Sequence, residues 1–93
     1  MTAIGLETVV SRAEGFTTAP VRDELMMLNI EQGAYYSLDP IAAEIWIMLD
    51  HPSRVQELVD ALQKRYDVGP AQCEADVLAF LGELLQNGMI VVN

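Results

Sequence analysis

The sequence predicts an α+β domain in which a three-stranded antiparallel sheet packs on a three-helix winged helix-turn-helix. Three observations carry that expectation. Strand-like segments crowd the first part of the chain, and helix-period segments fill nearly all of the rest. The stretch GAYYSLDPIAAEIW, residues 33–46, joins the last of those strands to the first helix without a gap. A β-prone tail, MIVV at 89–92, follows the third helix, where a wing strand would stand.

Residues 6–12, LETVVSR, read as a first strand. Residues 14–24, EGFTTAPVRDE, read as a turn-rich connection punctuated by Gly15 and Pro20. Residues 25–30, LMMLNI, are apolar at both parities, which predicts a central strand covered on each side. The loop Glu31-Gln32-Gly33 then closes a hairpin, with Gly33 at a positive φ. Ala34–Leu38 has the Tyr-rich character of a short strand at the sheet edge. Side chains alternate along it, so Tyr36 and Leu38 are expected to pack inward and Tyr35 and Ser37 to face away.

Asp39 and Pro40 match an N-cap followed by proline at the first helical position. That helix is expected from 40 to about 50, stopping before Pro52, with Ile41, Ile45, Met48 and Leu49 as its buried stripe. Ser53 and Gln56 form a capping-box pattern for a second helix, whose stripe is Val55, Leu58, Val59, Leu62 and Tyr66. The break Val68-Gly69-Pro70 leads into a third helix running to about 87 and ending at Gly88.

The third helix carries an apolar centre of Val77, Leu81, Leu84 and Gly88, broadened on one flank by Leu78 and Leu85. On the other flank Cys73, Asp76, Phe80 and Glu83 stack at three- and four-residue intervals, an aromatic between two carboxylates. Two readings fit that line. It is an amphipathic boundary where core meets solvent, or one wall of a groove that is apolar at its floor and acidic at its rim. Gly82, which costs roughly 1 kcal/mol relative to alanine in mid-helix, either admits a close approach by another segment or is simply tolerated.

Composition narrows the function. The chain is 52% hydrophobic with a mean hydropathy of +0.23, which excludes a disordered linker. No apolar run is long enough to cross a bilayer, and the N-terminal residues lack the pattern of a signal peptide. One cysteine, Cys73, excludes an internal disulfide framework and suits a reducing cytosol. A single cytoplasmic domain over residues 1–93 is the expectation. Five Lys+Arg against fourteen Asp+Glu give a formal net charge of −9. A duplex-binding protein needs clustered cations, and the third helix has none, so a partner with Lys or Arg suits this surface better. His51 reads as a solvated turn residue and Cys73 as a small apolar packing residue. No nucleotide fingerprint, phosphate loop or metal-ligand spacing is present, so no catalysis, cofactor or metal is expected.

An edge strand without Pro or Lys is a liability unless something covers it. Ala34–Leu38 has neither, so a peptide could add there as a further strand. The candidate peptide-binding residues are therefore Ala34, Tyr35, Tyr36, Ser37 and Leu38 on the strand, with Cys73, Asp76, Phe80 and Glu83 on the third helix. The alternative is that both tyrosines are ordinary strand residues.

From about residue 26 to residue 90 the chain resembles the PqqD-like family, the leader-peptide recognition elements of ribosomally made, modified peptides. The resemblance rests on LNIEQGAYYSLDPIAAEIW, ELVDALQKRYDV and ADVLAFLGELLQNGMI, and it is closest to the stand-alone members in lasso-peptide gene clusters. Around Asp50-His51-Pro52-Ser53 the chain departs from the pyrroloquinoline quinone protein, which usually carries an Asp-Gly turn and a Thr there. The resemblance implies that a precursor's leader adds to the third strand and lies against the third helix. It implies handover to a leader peptidase and a ring-closing cyclase, with no catalysis by this chain. The rival expectations are a PqqD-type peptide chaperone serving a radical SAM enzyme in pyrroloquinoline quinone-like synthesis, a winged-helix DNA-binding regulator, and a small enzyme.

Overall fold

The computed structural model describes residues 4–22, 24–31 and 33–93, with Ala34 defined through its backbone. Gln32 of the expected hairpin loop and the first three residues lie outside the described set. The elements in order are β1 (Val9–Arg12), β2 (Phe16–Val21), β3 (Glu24–Asn29), β4 (Ala34–Leu38), α1 (Pro40–Met48), β5 (Ser53–Arg54), α2 (Val55–Arg65), α3 (Pro70–Gln86) and β6 (Ile90–Val92). The α+β class holds. The strands, however, divide into two antiparallel sheets, ordered β2-β3-β4 and β5-β1-β6.

Two expectations are corrected in the first sheet. The segment expected as a connection contains β2, which pairs with β3 from Phe16↔Asn29 to Val21↔Glu24. Thr17 and Thr18 favour extended backbone, and Pro20 is tolerated because β2 is an edge strand. The short turn at Arg22 (φ 59°) brings β2 directly beside β3, filling the place expected for the first strand. That first strand, β1, belongs instead to the second sheet, where Val10 pairs with Ser53 and Val92.

β3 is central as expected, but it is covered on one face only. Met27 is fully buried and Leu25 partly so, while Leu28 on the opposite face stands exposed. α1 packs against the Met27 side of β3 and β4, and Met27 and Leu38 join Ile45, Trp46, Leu58 and Leu81 in one core. β4 pairs with β3 from Leu25↔Leu38 to Asn29↔Ala34. Gly33 adopts φ 67°, and its N–H donates to the Asn29 carbonyl at 2.9 Å, closing the hairpin.

α1 starts as its sequence dictates. Asp39 accepts a hydrogen bond from the Ala42 N–H at 2.8 Å, and Pro40 occupies the first turn. Its buried residues are Ala42, Ile45 and Trp46, with Leu49 just beyond; Ile41 is 46% exposed and leaves the expected stripe. Arg12 secures the other end. Its Nε and Nη2 donate to the Trp46 carbonyl at 3.1 and 2.6 Å, and its guanidinium lies 4.9 Å from the Trp46 ring centroid. Phe16 meets the same indole edge-on, the ring centroids 6.4 Å apart.

The capping box at α2 is also corrected. Ser53 is drawn into β5, buried, and its hydroxyl donates to the carbonyls of His51 and Met48 at 3.2 and 3.4 Å. The first amides of α2 are satisfied by main chain: Val55 N–H donates to Thr8 O and Gln56 N–H to Leu6 O, each at 2.9 Å. The expected stripe of α2 holds, with Val55, Leu58, Val59 and Leu62 buried and Tyr66 packed against them. α3 ends in a Schellman motif, with Met89 N–H on Leu84 O, Gly88 N–H on Leu85 O, and Gly88 at φ 73°. Among the described residues no neighbouring segment comes within 4 Å of where a Cβ would stand on Gly82, so the mid-helix glycine admits no close approach. Among the described residues no helix is long and apolar enough to cross a membrane.

Candidate functional site

A groove of about 270 Å³ opens between α1, the end of α2 and α3, beside the point where β4 becomes α1. Its α1 wall is Ile41, Ala42 and Ile45, which explains why Ile41 is exposed: it faces the groove rather than the core. Leu62, Tyr66 and Val68 form the end wall. Cys73, Asp76, Val77 and Phe80 form the α3 wall, and Asp39 stands at the mouth.

The structure therefore brings together three of the four helix residues singled out from the sequence. Cys73 is buried, with its Sγ 3.8 Å from the Val59 carbonyl, which it meets as a donor. Burial pushes its thiol above the ordinary value, and the Asp76 carboxylate adds to the shift. Asp76 is exposed and accepts a hydrogen bond from Gln72 Nε2 at 2.8 Å. Phe80 is half-buried against the core. Glu83 lies further along α3, exposed and outside the groove lining. The carboxylate that shares the groove with Asp76 is Asp39. Sequence reasoning had used Asp39 only as a cap, although its place between an edge strand and a groove-lining helix was the available signal.

β4 carries the other five candidates. It ends its sheet, so its far side faces no strand among the described residues. Tyr35 is 68% exposed, Tyr36 packs against the core and Leu38 is buried, which is the expected alternation. Ser37 Oγ donates to Glu24 Oε2 at 3.0 Å on the outer face. Ala34 contributes its backbone, paired with Asn29. The two edges of this sheet differ: β2 contains Pro20 and β4 contains no proline.

The electrostatics are one-sided. Among the described residues the groove lining includes two carboxylates and no basic side chain. Three of the chain's five basic residues are engaged elsewhere, in the pairs Arg12–Asp50 (4.0 Å), Arg54–Glu7 (3.6 Å) and Arg65–Glu44 (2.6 Å). Among the described residues no group of three or more His, Cys, Asp or Glu is placed to hold a metal ion.

Fold and site define a small α+β domain with an open strand edge beside an apolar, acid-rimmed groove. A family model described as coenzyme PQQ synthesis protein D (PqqD) matches residues 24–90, and the chain belongs to that family. β1 and β2 lie outside the matched stretch. Among solved structures, the chain is similar to TbiB1 in complex with the TbiA(beta) leader peptide, at 29% identity and a TM-score of 0.78, covering 86% of this chain and 93% of that one. It shares the fold of lasso peptide synthetase B1 complexed with the leader peptide, at 22% identity and a TM-score of 0.73, covering 88% and 96%. No curated protein matches.

Proposed function

We propose that this protein binds the leader segment of a ribosomally made precursor peptide by strand addition to β4. It then presents the peptide to the leader peptidase and ring-closing cyclase of a lasso-peptide pathway in the cytoplasm, without catalysing a step itself. The observation that carries this reading is the asymmetry of the sheet. One edge contains a proline, and the other is left open directly beside an apolar groove. An extended peptide would gain main-chain bonds from β4 and side-chain specificity from the groove. Membership of the PqqD family and the likeness to TbiB1, a protein solved with a leader peptide, support it.

The description of the family model favours a second reading, a peptide chaperone for a radical SAM enzyme in pyrroloquinoline quinone-like synthesis. Both readings seat a peptide on β4 and differ in the enzyme that receives it. A DNA-binding role finds no support in α3, which has no Lys or Arg. The test titrates the protein with the synthetic N-terminal segment of any short peptide gene found to neighbour its own. It should bind saturably and shift the amide resonances of Ala34–Leu38 together with residues 73–80. Shifts confined to the other sheet, or no binding, would overturn the proposal.

A further inference from the structure

We infer that the peptide accepted by this groove carries a lysine or arginine an even number of residues from an apolar anchor, with the basic group seated at the Asp39 and Asp76 carboxylates. The inference rests on the peptide-binding reading and names the chemistry of its ligand. The walls offer Ile41, Val68 and Phe80 to an apolar side chain. Among the described residues Asp39 and Asp76 are the only charged groups in the lining. Each already accepts one hydrogen bond, from Ala42 N–H and from Gln72. A carboxylate has about four lone-pair positions, so both can accept more.

Among the described residues no ion pair involves either carboxylate. The chain carries a net −9, and its Arg12, Arg54 and Arg65 are engaged with other acids. The Asp76 field reaches inside the groove, where it contributes to the raised thiol of Cys73. A cation at the mouth would meet unopposed negative charge beside low-dielectric walls. The spacing follows from strand geometry. Side chains alternate, so successive groove-facing residues of an added strand are two apart, about 6.6–6.8 Å along the chain. An apolar anchor and a basic side chain that both enter the groove are therefore an even number of residues apart.

The test selects a display library of random peptides on the parent protein and on Asp39→Asn/Asp76→Asn. Asparagine remains a good N-cap, and its amide oxygen can still accept from Gln72, so the fold is preserved. The parent pool should enrich Lys or Arg an even number of positions from an apolar residue, and the variant pool should keep the apolar residue and lose the basic one. A parent-selected peptide should bind the double variant roughly three- to tenfold more weakly at low salt. That gap should close at about 0.5 M salt, where screening shortens to a few ångströms. Glu83→Gln, off the groove, should change nothing. A parent pool without the basic preference overturns the inference and leaves strand addition standing. An equal loss in Glu83→Gln also overturns it, because the charge of the whole molecule would then be acting. A library that enriches no peptide removes the binding reading, and the inference with it.

Discussion

Replacing Ser37 with proline removes one main-chain N–H from β4 and fixes φ near −65°. If a leader strand pairs there, one of its carbonyls loses its donor. Leaving a buried acceptor unsatisfied costs about 1–3 kcal/mol, or roughly 5- to 150-fold in affinity. The cost to the folded protein is smaller. Ser37 is exposed, its one side-chain bond is the surface contact with Glu24, and proline is tolerated on edge strands, as Pro20 of β2 demonstrates. Alternate residues of a strand turn their amides to opposite sides, so Tyr36→Pro is the complement. It should break the β3–β4 ladder at the Met27↔Tyr36 pair and lower the melting temperature. Calorimetry with the synthetic leader, beside circular dichroism and thermal melts, separates the two. Ser37→Pro should keep native dichroism and lose binding. A folded Ser37→Pro that binds as tightly as the parent would refute strand addition at this edge.

Phe80→Ala should cost about 2 kcal/mol or more of binding, roughly thirtyfold, since aromatic anchors dominate such pockets; Leu81→Ala, in the core, should instead lose about 2–5 kcal/mol of stability while its folded fraction still binds by calorimetry. Arg12→Lys should lower the melting temperature by several degrees, because an ammonium cannot reproduce the paired bonds to the Trp46 carbonyl together with stacking on the ring; a melt matching the parent would show the clasp to be dispensable. Cys73 makes stability depend on pH. Its folded pKa is raised above 9.0, so the native state holds its proton longer than the unfolded chain. Stability should be full below that pH and fall as pH rises through the folded pKa, and denaturant titrations of Cys73→Ala should lose this decline.

The joint between β4 and α1 was legible because every rule that builds it is local. Gly33 supplies the positive φ, Asp39 the cap and Pro40 the first turn, all within eight residues of one another. The same holds for the Schellman end at Gly88. The division of the strands was not legible, because β1 finds its partners at Ser53 and Val92, far along the chain. Local pattern cannot weigh such pairings against the adjacent β2–β3 hairpin, whose Pro20 reads as a turn until its edge position is known. Ser53 misled for a related reason. A capping serine and a strand serine look alike, and only the approach of β1, with the carbonyls of Leu6 and Thr8, decided between them. The candidate line on α3 was found by its spacing, yet only the folded groove shows that it takes in Phe80 and leaves out Glu83. Ile41 and Asp39 joined the site because α1 turns one side to the groove and not to the core.

One residue, Asp39, separates β4 from α1, and its side chain is tied into the first turn of that helix. The edge that would hold a peptide's backbone and the floor that would hold its side chain are thus parts of one stiff corner. A bound strand would be gauged as if against a ruler with a single mark. Sliding it by one residue would turn its anchor out to solvent, and sliding it by two would carry the anchor about 7 Å from the pocket. Whatever lies downstream on the peptide would then be held at a set number of residues from this corner. An enzyme acting on that peptide could find its scissile or reacting bond by distance alone, without reading the sequence around it.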